Sequence, residues 1–283
     1  MSANPDEARR GEEFVRRVEE MNRLRARMDR VKHKVAVMSG KGGVGKSLVT
    51  VNLAAALAAE GKRVGVLDAD IHGPTVPKML GMKGAQLEVN AEGGIIAPAS
   101  PSGIKVASMD FLLPTQDAPV IWRGPLKMSA IRQLLSEVEW GDLDFLLIDL
   151  PPGTGDEALT VLQLLQDIDG VVIVTMPNEV SGQVVEKSVT FARQLKAPVI
   201  GLVENMSYLI CPHCSDRIDL FGEGIAEKIA NSMGVPFLGA MPLDPRVAKD
   251  SDSGKPFAME NPDSPAAKAF KGIVAGIEKF VGS

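Results

Sequence analysis

Eight residues near the start of the chain have the types and spacing of a phosphate-binding loop. They read Gly-Lys-Gly-Gly-Val-Gly-Lys-Ser and satisfy the pattern Gly-x4-Gly-Lys-Ser. Glycines let the backbone turn its N–H groups towards phosphate oxygens, the lysine of the pattern adds a positive charge, and the serine hydroxyl suits Mg²⁺. We therefore predict that ATP with Mg²⁺ binds at Gly40, Lys41, Gly42, Gly43, Val44, Gly45, Lys46 and Ser47.

Acidic residues at the ends of two predicted strands complete this site. Asp70 closely follows the first strand, and Asp149 ends the second. The carboxyl ends of parallel strands face the ligand crevice of an open sheet. We therefore expect Asp149 to hold Mg²⁺ together with Ser47, and Asp70 to orient the attacking water beside the catalytic Lys46. Asp68 we interpret as a cap of the following helix.

The chain has two cysteines, Cys211 and Cys214, at metal-ligand spacing. A lone Cys-x-x-Cys fits a thioredoxin-like redox pair, a zinc site or an iron–sulfur cluster. The redox pair is disfavoured because it belongs to a thioredoxin fold. Zinc and cluster sites take four ligands, which two chains would supply at a two-fold axis. The spacing thus predicts a metal site shared by a homodimer, with His213 tuning it as a neighbour.

The elements that must position these residues follow an alternating pattern. Apolar runs rich in Val, Ile and Leu alternate with longer helical patterns, which predicts an α/β, doubly wound fold: a mostly parallel sheet with helices on both faces. We expect strands at 34–39, 63–68, 104–108, 144–149, 170–175, 198–203 and 236–241. We expect helices at 45–60, 126–138, 156–166, 181–195, 222–233 and 265–281.

Three segments lie outside this alternating pattern or at its ends: an N-terminal helix, an insertion and the last helix. Apolar residues at steps of three and four predict an amphipathic helix over 11–33. We divide the chain into a helical N-terminal leader, 1–33, and a P-loop NTPase domain, 34–283, which carries the cysteine pair at 211–214. Residues 81–103 are interpreted as an insertion with a small hairpin at 89–95. The last helix has one apolar face, which we expect to dock on the core.

The amino-acid composition disfavours two classes of partner, nucleic acids and membranes. The 283 residues are 45% hydrophobic, and 31 basic residues stand against 36 acidic ones, so no overall basic field favours nucleic acid. The N-terminus is polar, and apolar runs are shorter than the roughly 18–20 residues that span a bilayer. We expect a cytoplasmic protein that binds neither nucleic acid nor membrane.

Lys41, the lysine that the phosphate-binding pattern does not require, makes the loop resemble a particular class of ATPases. The form Lys-Gly-Gly-x-Gly-Lys-Ser, beginning at Lys41, resembles the deviant Walker A motif of the MinD/ParA/nitrogenase-iron-protein class. In that class the extra lysine reaches the partner subunit's nucleotide. The resemblance implies a nucleotide-sandwich homodimer and a catalytic role for Lys41, which would stabilise charge on the transferring phosphoryl group.

Four segments together resemble the Mrp/ApbC family of iron–sulfur cluster carrier ATPases. They are residues 40–47, 68–77 (Asp-Ala-Asp-Ile-His-Gly-Pro-Thr-Val-Pro), 149–156 (Asp-Leu-Pro-Pro-Gly-Thr-Gly-Asp) and 204–214, Glu-Asn-Met-Ser-Tyr running into Cys-Pro-His-Cys. The resemblance covers about residues 34–243. It implies a dimer that holds a labile [4Fe–4S] cluster on its paired cysteines and delivers it to apo iron–sulfur proteins. ATP binding or slow hydrolysis would change this dimer, and Asn205 would recognise adenine.

Alternatives stay open at this point. Two family features, a cysteine-rich N-terminal extension and a small domain before the P-loop, have no counterpart here, so we expect a short prokaryotic form. Two thiols per chain would also fit a [2Fe–2S] cluster. A ParA/MinD-like positioning ATPase would bind no metal, and a P-loop ATPase with a structural interchain zinc would use the same cysteines without iron.

Overall fold

Helices and strands alternate along most of the chain. A computed structural model describes residues 5–70, 73–90, 94–112, 124–165, 167–177, 179–211, 213–214, 216–222 and 224–282. Its strands are β1 (Val31–Ser39), β2 (Val64–Asp68), β3 (Glu88–Val89), β4 (Ile95–Ile96), β5 (Lys105–Ser108), β6 (Val138–Glu139), β7 (Leu143–Asp149), β8 (Gly170–Thr175), β9 (Val199–Ile210), β10 (Arg217–Ile218) and β11 (Phe237–Leu243).

The helices cover both faces of the sheet. They are α1 (Pro5–Met28), α2 (Lys46–Ala59), α3 (Val76–Met79), α4 (Gly124–Glu137), α5 (Asp156–Leu164), α6 (Glu179–Gln194), α7 (Ile225–Met233), α8 (Pro245–Asp252), α9 (Phe257–Glu260) and α10 (Pro265–Val281), with a 3-10 turn at Met109–Leu112. One of them, α10, has the predicted bounds.

The central sheet confirms the predicted α/β, doubly wound architecture. Its strand order is β10-β9-β8-β1-β7-β2-β5, with β11 also paired to β9, and every pair is parallel except β10 with β9. The three strands that carry the predicted site, β1, β7 and β2, are adjacent. Asp149 lies in register with Val37 on one side and Asp68 on the other. The acidic strand ends therefore meet beside the phosphate-binding loop.

The core lies on both faces of this sheet. Along β1, Ala36 and Met38 pack into one apolar cluster, and Val35 and Val37 pack into the other, because successive strand residues point to opposite faces. Helix α10 buries Phe270, Ile273, Val274 and Ile277 in the second cluster, which confirms core docking of its apolar face. None of the described helices is long and apolar enough to cross a membrane.

The leader helix ends earlier than predicted. Helix α1 stops at Met28, and β1 begins at Val31, which pairs with Leu143. Residues 31–33, assigned to the leader from the sequence, therefore lie in the sheet. Leu24 and Met28 are buried in the core, and the Arg27 Nε donates to the Ser136 carbonyl of α4 at 2.6 Å. Helix α1 is thus anchored at its C-terminal end.

A small second sheet accounts for the predicted insertion. Strands β3 and β4 pair antiparallel, with Glu88 opposite Ile96, and β4 pairs parallel with β6. The expected hairpin is confirmed by this pairing, while its turn at 91–93 lies outside the described residues. The short helices α3, α8 and α9 were not predicted.

Candidate functional site

The phosphate-binding loop connects the end of β1 to the start of α2. The backbone has positive φ at Gly43 (78°) and at Gly45 (82°), the residue that immediately precedes α2. Glycine adopts such angles without steric cost. A side chain at Gly45 would also collide with the Asn205 amide. The predicted loop therefore has the glycine-dependent backbone that its phosphate-binding role requires.

Three α2 residues surround the carboxylate of Asp149, which is fully buried. The Lys46 ammonium lies 2.8 Å from Oδ1, and the Ser47 hydroxyl donates to Oδ2 at 2.5 Å. Thr50 was missed from the sequence, yet its hydroxyl donates to Oδ1 at 2.8 Å. Its position, four residues after Lys46 on the same helix face, was the available signal.

The predicted Mg²⁺ ligands lie side by side. The hydroxyl of Ser47 and the carboxylate of Asp149 are adjacent oxygen donors, the type that Mg²⁺ selects, and Mg²⁺ usually takes its other positions from water and phosphate. These donors fit the ion. Their role as ligands stays a prediction.

Asp68 is a second buried carboxylate of the site. Its oxygens accept hydrogen bonds from the Asp70 and Val76 amides, both at 3.2 Å, and from the Ser108 hydroxyl at 3.3 Å. Val76 is the first residue of α3, so the Asp68 carboxylate accepts a hydrogen bond from the start of the following helix, although Thr75 is the residue at the N-cap position and α3 itself was not predicted. Burial and the neighbouring Asp149 raise the pKa of Asp68 to about 8, against the opposing effect of Lys46.

The predicted catalytic residues Asp70 and Lys41 lie on the loops around this cluster. Asp70 is half-buried on the loop after β2. Lys41 is half-buried in the P-loop, where its carbonyl accepts a hydrogen bond from the Ser39 hydroxyl at 3.0 Å. Their roles with water and with a partner's nucleotide stay predictions.

The loop after Asp149 is hydrogen-bonded to the end of β1, the strand that leads into the P-loop. The Gly153 amide donates to the Ser39 carbonyl at 2.8 Å, and the Leu150 amide donates to the Val37 carbonyl at 3.0 Å. Both acceptors lie at the end of β1. These bonds place the loop after Asp149 beside the start of the phosphate-binding loop.

Asn205 lies against the phosphate-binding loop from β9. Its side chain is buried, and its Nδ2 donates to the Val44 carbonyl at 2.9 Å. The residue therefore belongs to the nucleotide site in space, although it is far away in sequence. Its predicted recognition of adenine stays a prediction.

Both cysteines occupy the hairpin that links β9 to β10. Cys211 follows β9 directly and is half-buried, whereas Cys214 and His213 are exposed. Hydrogen bonds from the backbone of Cys214 and His213, and from the Cys214 side chain, lower the pKa of Cys211. Since the thiolate is the form that binds metal, this hairpin favours ligation.

A metal site within one chain would need several ligands close together. Among the described residues, no three or more His, Cys, Asp or Glu side chains are grouped closely enough to hold a metal ion. That Cys211 and Cys214 of two chains share one metal site stays a prediction.

An exposed apolar surface adjoins the cysteine hairpin. We name Ile218, Leu220 and Phe221 the hairpin patch; their exposed fractions are 42%, 41% and 50%. Beside them the Arg217 guanidinium lies 4.2 Å from the centre of the Tyr208 ring. The thiols thus share their edge of the molecule with apolar side chains that face solvent.

Known proteins resemble the chain over most of its length. It is 51% identical over 261 residues to an iron–sulfur cluster carrier protein of Saccharolobus solfataricus, covering 92% of this chain and 88% of that protein. A protein of Methanocaldococcus jannaschii with the same name is 53% identical over 259 residues, with the same coverage of both chains.

Solved structures agree with these relatives. A nucleotide-binding protein from Archaeoglobus fulgidus in complex with ADP is 43% identical, with a TM-score of 0.77 over 88% of this chain and 96% of that chain. The cell division ATPase MinD of Pyrococcus furiosus is 26% identical, with a TM-score of 0.64 over 88% of this chain and 99% of that chain. The resemblance to the MinD/ParA class is confirmed. The ParA family model described as NUBPL iron-transfer P-loop NTPase matches residues 30–278, so the chain belongs to this family of P-loop NTPases.

Proposed function

We propose that this chain is an ATP-dependent carrier of iron–sulfur clusters. A homodimer holds one [4Fe–4S] cluster on Cys211 and Cys214 of both subunits and delivers it to apo iron–sulfur proteins. The observation that carries the proposal is the placement of these two thiols in one hairpin, at the end of the strand whose Asn205 contacts the P-loop. The relatives named as iron–sulfur cluster carrier proteins support the same cargo.

The nucleotide half of the mechanism starts from the ion pair inside the P-loop. Lys46 contacts the buried Asp149 carboxylate at 2.8 Å. Phosphate oxygens compete for the same ammonium, so ATP binding rearranges the donors around Asp149. Ser47 and Asp149 would hold Mg²⁺, which would supply charge neutralisation on the phosphates. Asp70 orients the attacking water, and Lys41 acts on the nucleotide of the partner.

The cargo half uses the chemistry of the cysteine hairpin. Backbone N–H groups directed at the Cys211 sulfur favour its thiolate and tune a bound cluster. Cys214 is exposed, so a thiolate of the recipient can reach the cluster and replace a ligand. This combination of ligation and access is what a delivered cargo requires, whereas a structural metal is normally enclosed by its ligands.

The hairpin patch supports the homodimer. A two-fold axis beside the cysteines brings the patch of one subunit against the same patch of the other, which is the self-complementary contact of an isologous dimer. Burying Leu220 and Phe221 in this way removes exposed apolar surface from water. Cluster binding and apolar burial then favour the same assembly.

The decisive experiment counts the metal and follows its transfer. Wild-type protein, Cys211→Ser with Cys214→Ser, and the control Ser232→Ala, at an exposed position of α7, are reconstituted without oxygen. Iron, sulfide and zinc are then measured per dimer. Transfer to an apo [4Fe–4S] protein is then recorded with and without Mg·ATP. We expect the double variant to bind Mg·ATP normally but to lose both iron and transfer, and the control to keep them.

Two results would contradict the proposal. Undiminished transfer by the double variant would exclude these thiols as the carrier site. Zinc retained in place of iron, with an intact dimer and ATPase activity, would instead establish the structural-zinc alternative.

A further inference from the structure

Strand β9 is irregular just before the cysteine hairpin. Glu204 pairs with Ala240 of β11, and the next pair joins Tyr208 to Pro242. Between these two pairs, three residues of β9 lie opposite a single residue of β11. The middle residue, Met206, has a φ of 55°. Non-glycine residues rarely adopt positive φ, and they keep it only where the surroundings impose it. Something must therefore hold residues 205–207 in this bulge.

The carboxylate of Glu204 supplies that constraint. Its side chain is buried, with 1% of the residue exposed. Oε1 accepts a hydrogen bond from the Ser207 hydroxyl at 2.6 Å, and Oε2 accepts one from the Ala226 amide at 2.8 Å. A buried carboxylate needs such donors, and the first turn of α7 also offers its positive dipole end. One side chain thus fixes both ends of the bulge and the start of α7.

The contacts of Glu204 join the two ends of a long segment of the chain. After Glu204 the chain continues along β9 to Ile210, passes through the cysteine hairpin and β10, and enters α7 beside Ala226, so residues 205–225 lie between the two points that Glu204 joins. At the base of this segment, Asn205 contacts the Val44 carbonyl of the P-loop; beyond the bulge, the segment carries the cysteine hairpin. The nucleotide contact and the thiols therefore belong to one closed segment.

We propose that Glu204 is a positioning residue that couples the P-loop to the cysteine hairpin. When nucleotide shifts the P-loop, Asn205 moves with Val44. Because Glu204 and Ser207 hold the bulge closed, the displacement passes along β9 to Cys211 and is not absorbed by an extra loop. This inference rests on the proposed carrier function and assigns the residue that makes transfer respond to ATP.

The test replaces Glu204 with glutamine, which keeps the size of the side chain but leaves a single acceptor oxygen for two donors. The matched control is Glu227→Gln, an exposed carboxylate in the same first turn of α7. Cluster-loaded proteins transfer to an apo [4Fe–4S] protein with and without Mg·ATP, and Mg·ATP affinity and iron content are measured in parallel. Glu204→Gln should keep both of these while the ratio of the two transfer rates falls about tenfold towards one, the scale of one lost hydrogen bond to a carboxylate.

The results distinguish failure of the coupling role of Glu204 from failure of the carrier function. A wild type that responds to ATP, with an unchanged ratio in Glu204→Gln, overturns this inference and leaves the carrier function intact. A wild type that carries no cluster overturns the carrier function itself. Should Glu204→Gln not fold, Ser207→Ala removes the bulge contact alone and keeps the contact to Ala226. A normal ATP response in that folded variant also overturns the coupling role.

Discussion

Replacing Asp68 with asparagine should change how stability depends on pH. Burial and the adjacent Asp149 raise the pKa of Asp68 from an ordinary value of 3.8 to about 8 in the folded protein. Between these two values, the folded state retains a proton that the unfolded chain has lost. Folding is therefore linked to proton uptake, and the free energy of unfolding decreases as pH rises through this window.

The size of the effect follows from the linkage relation. One proton of difference changes the free energy of unfolding by about 1.4 kcal/mol per pH unit. From about pH 5 to about pH 7, Asp68 should therefore lower the free energy of unfolding of the wild type by about 2–3 kcal/mol. The asparagine variant should not show this decrease. Asparagine resembles the neutral acid, so the two proteins should be similar near pH 5, and the variant should be the more stable one near pH 8.

Urea unfolding of nucleotide-free protein in a chelator, followed by circular dichroism across this pH range, measures the difference. The control is Asp144→Asn. Its carboxylate is bound by Arg63, which lowers the pKa of Asp144 to about 2, so its stabilising contribution is lost only below about pH 4. The free energy of unfolding of this control should differ from that of the wild type by the same amount at every pH in the range. A constant difference for Asp68→Asn as well would refute the reasoning.

Three further predictions concern the nucleotide site and the dimer. Thr50→Val removes a buried donor to Asp149 and should weaken Mg·ATP binding about tenfold, measured by calorimetry. Gly45→Ala places a side chain against a positive φ and a neighbouring amide, and should abolish ATP binding while the protein remains folded by circular dichroism. Leu220→Ser with Phe221→Ser should dissociate the cluster-loaded dimer in light scattering; an unchanged dimer with lost transfer would mark the patch as a recipient surface.

The parts of the fold that the sequence predicts are those with local signals. Near-continuous apolar runs identified the parallel strands because both faces of such strands are buried. The leader boundary failed because Val31 continues the helical spacing and also suits a strand. Its pairing with Leu143, more than a hundred residues away, decides the outcome. That partner is invisible to any local pattern.

The same distinction applies to the site. The P-loop and the cysteine pair are short motifs, so their residue types alone predicted phosphate binding and metal ligation, whereas the choice of an iron–sulfur cluster came from the family resemblance. Glu204 is different, since it stood within a recognised segment without any assigned role. Its function depends on a bulge and on the amide of Ala226, which only the folded chain brings together. Tertiary contacts, unlike motifs, leave no fixed spacing in the sequence.

The atoms that join β9 to the P-loop bear on how the nucleotide site and the cysteine hairpin can act together. Phosphates bind to the N–H groups of such a loop, whereas Asn205 uses the Val44 carbonyl. The Asn205 contact and the phosphates therefore use different groups of the backbone and can be held at the same time. ATP need not break the contact in order to signal. In the proposed coupling, the segment that carries Cys211 would follow the loop when nucleotide shifts it.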